Sequence, residues 1–196
     1  MKNPYYLSLF LICFSSCHFA SDKILDSFKT VNASLEKSNK VISNQNNYEQ
    51  YYFEIKLKGD ENYESVRRAD TLYSATKNAI NLIDKIKKIL SEKDSAGGNA
   101  NISAALLVHT PLGDSLAKVV RQVPDDCYAA LVNHTKKPIL DSILSETKVM
   151  KARKDWMGDA FNNTPTIGAL TTLNCLRLEF MSASAITLSD IDSSLK

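Results

Sequence analysis

The sequence predicts an all-α fold, in which an N-terminal membrane-anchoring helix continues into an up-and-down helical bundle of about four main helices. Three observations predict it. Ile24, Leu25, Phe28, Val31, Leu35 and Ile42 recur mostly at spacings of three and four, the signature of one helix face. Val66, Ala69, Leu72, Tyr73, Ala79, Ile80, Ile83, Ile86 and Leu90 form a second stripe. Leu170, Leu173, Leu176, Phe180, Ala183, Ile186, Leu188 and Ile191 form a third. Only 6 of 196 residues are glycine, so few positions interrupt these patterns.

The chain divides into a leader, 1–21, and a helical bundle, 22–196. Between Lys2 and Asp22 about 19 residues carry no formal charge, close to the ~20 that cross a hydrocarbon core. Three readings stay open. The leader is a retained single-pass anchor, with Lys2 holding its N-terminus in the cytoplasm. Or it is a lipoprotein signal, with Phe14-Ser15-Ser16-Cys17 placing small residues before a cysteine that is acylated. Or it is a cleaved signal peptide. All three put Asp22 onward outside the cytoplasm.

The first helix is expected over about Asp22–Asn44, ending in the polar run Ser43-Asn44-Gln45-Asn46-Asn47, which reads as a loop. Tyr51, Phe53, Ile55 and Leu57 alternate like a strand, but no partner strand is visible, so a helical or irregular link is expected there. A second helix is expected over about Tyr63–Lys93, with Arg67, Lys77, Asp84, Lys87 and Lys88 on its solvated face. Ser95-Ala96-Gly97-Gly98-Asn99 is a loop. Asn101–Thr110 reads as a short helix or extended segment, and Pro111-Leu112-Gly113-Asp114 as a turn. A third helical region is expected to break at Pro124 and restart with Asp125 as cap. Pro138 opens a short helix. The last helix starts near Thr164-Pro165 and runs to about Ser193, antiparallel to the first. Phe28, Leu72, Ile83, Leu173 and Phe180 are the expected core.

Composition excludes several functions. Lys plus Arg number 24 against 22 Asp plus Glu, and there is no basic run or basic–aromatic interleaving, so no nucleic-acid partner is expected. His18, His109 and His134 lie far apart, and no metal-ligand spacing occurs. Cys127 and His134 stand two helical turns apart, too far to work as nucleophile and base. Gly97-Gly98 lacks the Lys-Ser/Thr of a phosphate loop. No catalytic residue, cofactor site or metal site is assigned, and the chain reads as a non-enzyme. Cys127 and Cys175 either form one disulfide in an oxidising compartment or stand as two small buried residues; spacing leaves this open. Asn32, Asn101, Asn133 and Asn162 match glycosylation acceptors, a pattern short enough to arise by chance.

One cluster falls outside the periodic pattern: Lys154-Asp155-Trp156-Met157-Gly158-Asp159-Ala160-Phe161, followed by Asn162-Asn163-Thr164-Pro165. Trp156 is the only tryptophan. Trp156 and Phe161 either plug one end of the bundle or form an exposed anchor for a partner.

With these residues the chain resembles the N-terminal part of the gliding-motility family GldM, also called PorM. The resemblance rests on an apolar span, Ile24-Leu25-Asp26-Ser27-Phe28, Leu35-Glu36-Lys37-Ser38-Asn39, and the order Trp156, Phe161, Pro165, Ala169, Thr172, Leu173. It implies an inner-membrane protein with a periplasmic bundle, serving as a structural or force-transmitting part of a type IX secretion and gliding complex. It also implies a multispan partner of the GldL type and a homodimer. The chain departs from the family pattern in stopping at Lys196, without the β domains that follow the bundle there. The alternative from another class is a standalone periplasmic lipoprotein whose bundle binds a partner protein or a small ligand.

Overall fold

The computed structural model describes residues 22–56 and 63–194, with side chains from 48 to 63 left aside. The leader with Cys17, and Gly59-Asp60, lie outside the described residues. Among the described residues eight α-helices and one 3₁₀ turn follow in order: α1 (Asp22–Lys56), α2 (Tyr63–Lys93), α3 (Ala100–Leu107), α4 (Pro111–Ala130), the turn His134–Lys136, α5 (Lys137–Ile143), α6 (Ser145–Ala152), α7 (Trp156–Phe161) and α8 (Thr166–Ser193). No strand occurs among the described residues.

The architecture is a bundle built around α8. This helix buries Ile167, Ala169, Leu173, Leu176, Phe180, Met181, Ala183, Leu188 and Ile191, which together cover most of its circumference. A helix apolar nearly all round belongs inside. Helices α1, α2 and α4 pack around it, while α3, α5, α6 and α7 close the remaining sides. Leu72, Ile83, Leu173 and Phe180 are buried as expected; Phe28 is half-buried, because α1 lies on the outside of the bundle.

Four expectations are corrected. First, α1 does not stop at Asn44 but continues as helix to Lys56. Asn46 is buried against α8 and its side-chain amide donates to the Met181 carbonyl, so the polar run is a packed face. Second, α1 and α8 run parallel. Asn32 donates to Ile167, Asn39 to Asn174 and Asn46 to Met181, each across the same separation of 135 residues. A constant offset is parallel pairing; antiparallel helices would keep a constant sum. By that measure α2 is antiparallel to α1, since Asn47 meets Tyr73 and Glu36 meets Lys87.

Third, Pro111 opens α4 rather than a turn. Thr110 caps it, accepting the Gly113 amide at 3.1 Å, and a proline near the helix start loses no intrahelical bond. Pro124 sits buried inside α4 without ending it, and Asp125 lies mid-helix, paired with Lys151 at 2.5 Å. Fourth, the Trp156 segment is the short helix α7, capped by Asp155 accepting from Gly158. The predicted span of α2 agrees with Tyr63–Lys93, Pro138 lies in the first turn of α5, and α8 begins one residue after Pro165.

The N-terminus of α8 has no side-chain cap. Its first amides go instead to the loop after α2: Thr166 donates to the Asn99 carbonyl at 3.1 Å and Ile167 to the Gly97 carbonyl at 2.9 Å. These bonds satisfy donors that a helix start otherwise leaves unpaired. Asp94 holds the loop from within, accepting from Gly97 at 3.0 Å and Asn99 at 2.7 Å. Gly97 adopts φ +81, a left-handed conformation suited to glycine.

Candidate functional site

The feature that sets this bundle apart is the seam between α1 and α8. Along α1, residues 25, 28, 32, 35, 39, 42 and 46 face inward at alternating spacings of three and four. Leu25, Phe28, Leu35 and Ile42 are half-buried. Asn32, Asn39 and Asn46 are buried, and they stand seven residues apart. Seven residues are two turns, so the three amides form a ladder up one face. Their acceptors Ile167, Asn174 and Met181 are likewise seven apart.

The rungs are unequal. Asn32 donates to the Ile167 carbonyl at 3.2 Å and to Thr171 Oγ1 at 3.0 Å, and accepts from the Asn174 amide at 2.8 Å. Asn39 and Asn46 each make one bond, at 3.3 and 3.0 Å, and their buried Oδ1 atoms have no partner. Leaving a buried acceptor unpaired costs free energy that an apolar side chain would not. Asn32 also matches a glycosylation acceptor, but its amide is buried and committed to α8.

Charges on α2 tie both helices of this seam together. Lys87 of α2 binds Glu36 of α1 and lies 3.9 Å from Asp84, which meets Arg177 of α8 at 3.2 Å. Partial burial alone would raise the Glu36 carboxyl; Lys87, the Asn174 amide and Arg177 outweigh it and hold it below its usual value. Asp84 and Lys87 thus tie helices together rather than merely facing solvent, which corrects the expectation for that face. Sequence reasoning missed both this cluster and the ladder. The signal for the ladder was present as three asparagines at a spacing of seven.

Trp156 and Phe161 are 2% and 0% exposed, with ring centroids 6.1 Å apart. Ser103 of α3 donates to the Phe161 carbonyl at 3.0 Å and the Thr164 carbonyl at 2.6 Å, pinning α7 beside the start of α8. Trp156 Nε1 is buried without a partner. In this conformation neither ring is presented to solvent.

Cys127 and Cys175 are separate thiols. Cys127 lies beside Thr187, whereas Cys175 sits near Glu179 and Glu146. Twelve residues of α8 separate Thr187 from Cys175, about 18 Å of helix, beyond the ~7 Å limit between bridged Cα atoms. Burial pushes the Cys127 thiol up to about 12 and the Cys175 thiol up to about 11. Such thiols are poor nucleophiles.

Among the described residues no three His, Cys, Asp or Glu side chains gather as a metal set. An open depression of about 480 Å³ is lined by Tyr128, Leu131, His134, Lys137, Asp141 and Lys148. Three of its polar groups engage one another: Tyr128 donates to Asp141 at 2.5 Å, and Lys148 binds the same carboxylate. Lys148 and Tyr128 hold the Asp141 carboxyl below its usual value. No helix among the described residues is long and apolar enough to cross a membrane.

A search of curated proteins found no match. The profile described as the GldM N-terminal domain matches residues 23–193, from the start of α1 to the last residue of α8. The match takes in the α1–α8 seam, the charge cluster and the α7 plug, and it spans most of the sequence: this chain belongs to the GldM N-terminal domain family.

Proposed function

We propose that this domain is a structural, force-transmitting component of a type IX secretion and gliding-motility membrane complex. Family membership supports the assignment to that machinery. The observation that carries the mechanical role is the parallel seam. Three side-chain bonds at one constant offset join α1 to the central helix over fourteen residues, Asn32 to Asn46. A pull applied at the Asp22 end loads these bonds together as shear along α8, instead of breaking them one at a time. In this reading the leader is retained as an inner-membrane span, the bundle faces the periplasm, and the partners are a multispan protein of the GldL type and a second copy of the chain.

Affinity purification from detergent-solubilised membranes tests the reading. A multispan partner recovered at fixed stoichiometry, with loss of secretion or gliding on deletion, is the expected result. Recovery of the chain alone, with both activities intact in the deletion strain, overturns it. The sequence Ser15-Ser16-Cys17 favours a second reading, a standalone lipoprotein whose bundle binds a partner or a small ligand. Mass spectrometry of the native N-terminus separates them, because a mature chain starting at acylated Cys17 has no span to offer.

A further inference from the structure

The acceptors of the Asn ladder are backbone carbonyls, and every turn of α8 offers the same groups. The carbonyls of Asn174, Met181 and Leu188 continue the spacing of Ile167, Asn174 and Met181, and Leu188 still lies inside α8. Displacing α1 by seven residues toward Ser193 would therefore re-form three rungs, with Asn32 on Asn174, Asn39 on Met181 and Asn46 on Leu188. The half-buried residues Leu25, Phe28, Leu35 and Ile42 repeat at the same period and return to the same face. No apolar side chain described on α1 is fully buried, so none is locked into a fitted hole.

Among the described residues, the contacts that choose the observed register are the bonds of Asn32 with Thr171 and the Asn174 side chain, Glu36 with Lys87, the Asn174 amide and Arg177, the Leu25 methyl beside Gly98, and the Tyr73 hydroxyl on Asn47 at 3.1 Å. The six residues 57–62 joining α1 to α2 can span roughly 20 Å of extended chain, more than the ~10.5 Å that seven helical residues advance.

We propose that α1 occupies two registers on α8, the observed one and a minor one displaced by one heptad toward the C-terminal end of α8. The device is a discrete slip between two bonded states, the kind of step by which packed helices shift without unfolding. It holds whichever complex the domain serves.

Disulfide trapping in the full-length protein tests it, under a glutathione redox buffer and with linked peptides identified by mass spectrometry. Asn46→Cys with Met181→Cys reports the observed register. Asn39→Cys with Met181→Cys links only in the displaced one. Asn39→Cys with Ser182→Cys, about 100° further round α8, reports peeling or unfolding. A minor state of roughly 0.1–10% makes the displaced pair link about 10- to 1000-fold more slowly than the first pair, yet faster than the Ser182 pair. Glu36→Ala, which removes one register-choosing side chain, should raise that rate roughly two- to fivefold. A displaced pair linking no faster than the Ser182 pair, or a failure of the Asn46–Met181 pair to link, overturns the proposal.

Discussion

The side-chain amide of Asn46 donates to the backbone carbonyl of Met181 at 3.0 Å, while its buried Oδ1 meets no partner. The Met181 carbonyl lies within α8, where helical bonding already provides for it. Removing the asparagine therefore leaves no orphan behind on α8. Asn46→Leu is expected to be neutral or stabilising, within about 1 kcal/mol. Asn32→Leu should instead destabilise by about 1–3 kcal/mol, because it takes an acceptor from the buried Asn174 amide and a donor from Thr171. Urea denaturation of the two variants side by side checks the contrast.

Trp156→Ala should cost about 3–5 kcal/mol, as for other buried aromatic truncations. Trp156→Phe should cost much less, since Nε1 makes no hydrogen bond that the change would lose. Thermal melts measure both. If the ring were instead a partner anchor in the assembled complex, melts would hold and co-purification would fail.

Two carboxylates of α8, the buried Asp190 and the half-buried Glu179, pull the acid stability in opposite directions. At Asp190 burial alone would raise the pKa, but the Asn133 and Val132 amides and Lys136 outweigh it, and the net shift is downward. A lowered folded pKa gives stability that is present above the unfolded value of about 3.9 and is lost as pH falls through the folded one. Asp190→Asn should thus flatten the acid limb of stability against pH. Glu179 is raised, because burial outweighs its bonds from Thr147 and Glu146. Its contribution is greatest below the unfolded value of about 4.3 and declines as pH rises through the folded pKa. Glu179→Gln should therefore leave a steeper acid limb than the unaltered protein shows. Urea unfolding at a series of pH values from 3 to 7 gives both slopes.

Gly113→Ala should be among the most damaging single substitutions. A Cβ there would lie 1.7 Å from the Leu107 carbonyl oxygen, backbone against backbone, where α4 crosses the end of α3. A loss of about 3 kcal/mol or more is expected. Gly98→Ala, whose Cβ would meet only a Leu25 methyl at 3.8 Å, should change stability little. Circular-dichroism melts of the pair provide the comparison.

What could be read from the sequence was what local periodicity carries. The α2 stripe from Val66 to Leu90 and the α8 stripe from Leu170 to Ile191 marked their helices, because apolar residues recur on each at helical spacing over most of its length. The burial of Trp156 and Phe161 was one of two open readings, and no local pattern decides between a plug and an anchor. The second half of α1 was not legible. Ser43 to Asn47 has the composition of a loop, and the partners that hold it as helix, the Met181 carbonyl and the Tyr73 hydroxyl, are distant in sequence. Pro111 and Pro124 misled for a related reason. Thr110 makes the first a helix start, and the buried surroundings of the second hold the helix together across it. The parallel course of α1 and α8 depends on how α5, α6 and α7 return the chain between them, and no single segment records that.

The placement of α8 at the centre has a consequence for biosynthesis. The helix around which all the others pack is the last of them to be made. Until residues 166–193 have been delivered, α1, α2 and α4 can pack on one another but lack the central helix that most of their apolar faces cover. Contacts 135 residues apart in sequence also form slowly, since a long loop must close first. During synthesis or export the earlier helices must therefore wait, open to proteases and holding chaperones, and a product released before α8 lacks the element that would make it a folded domain.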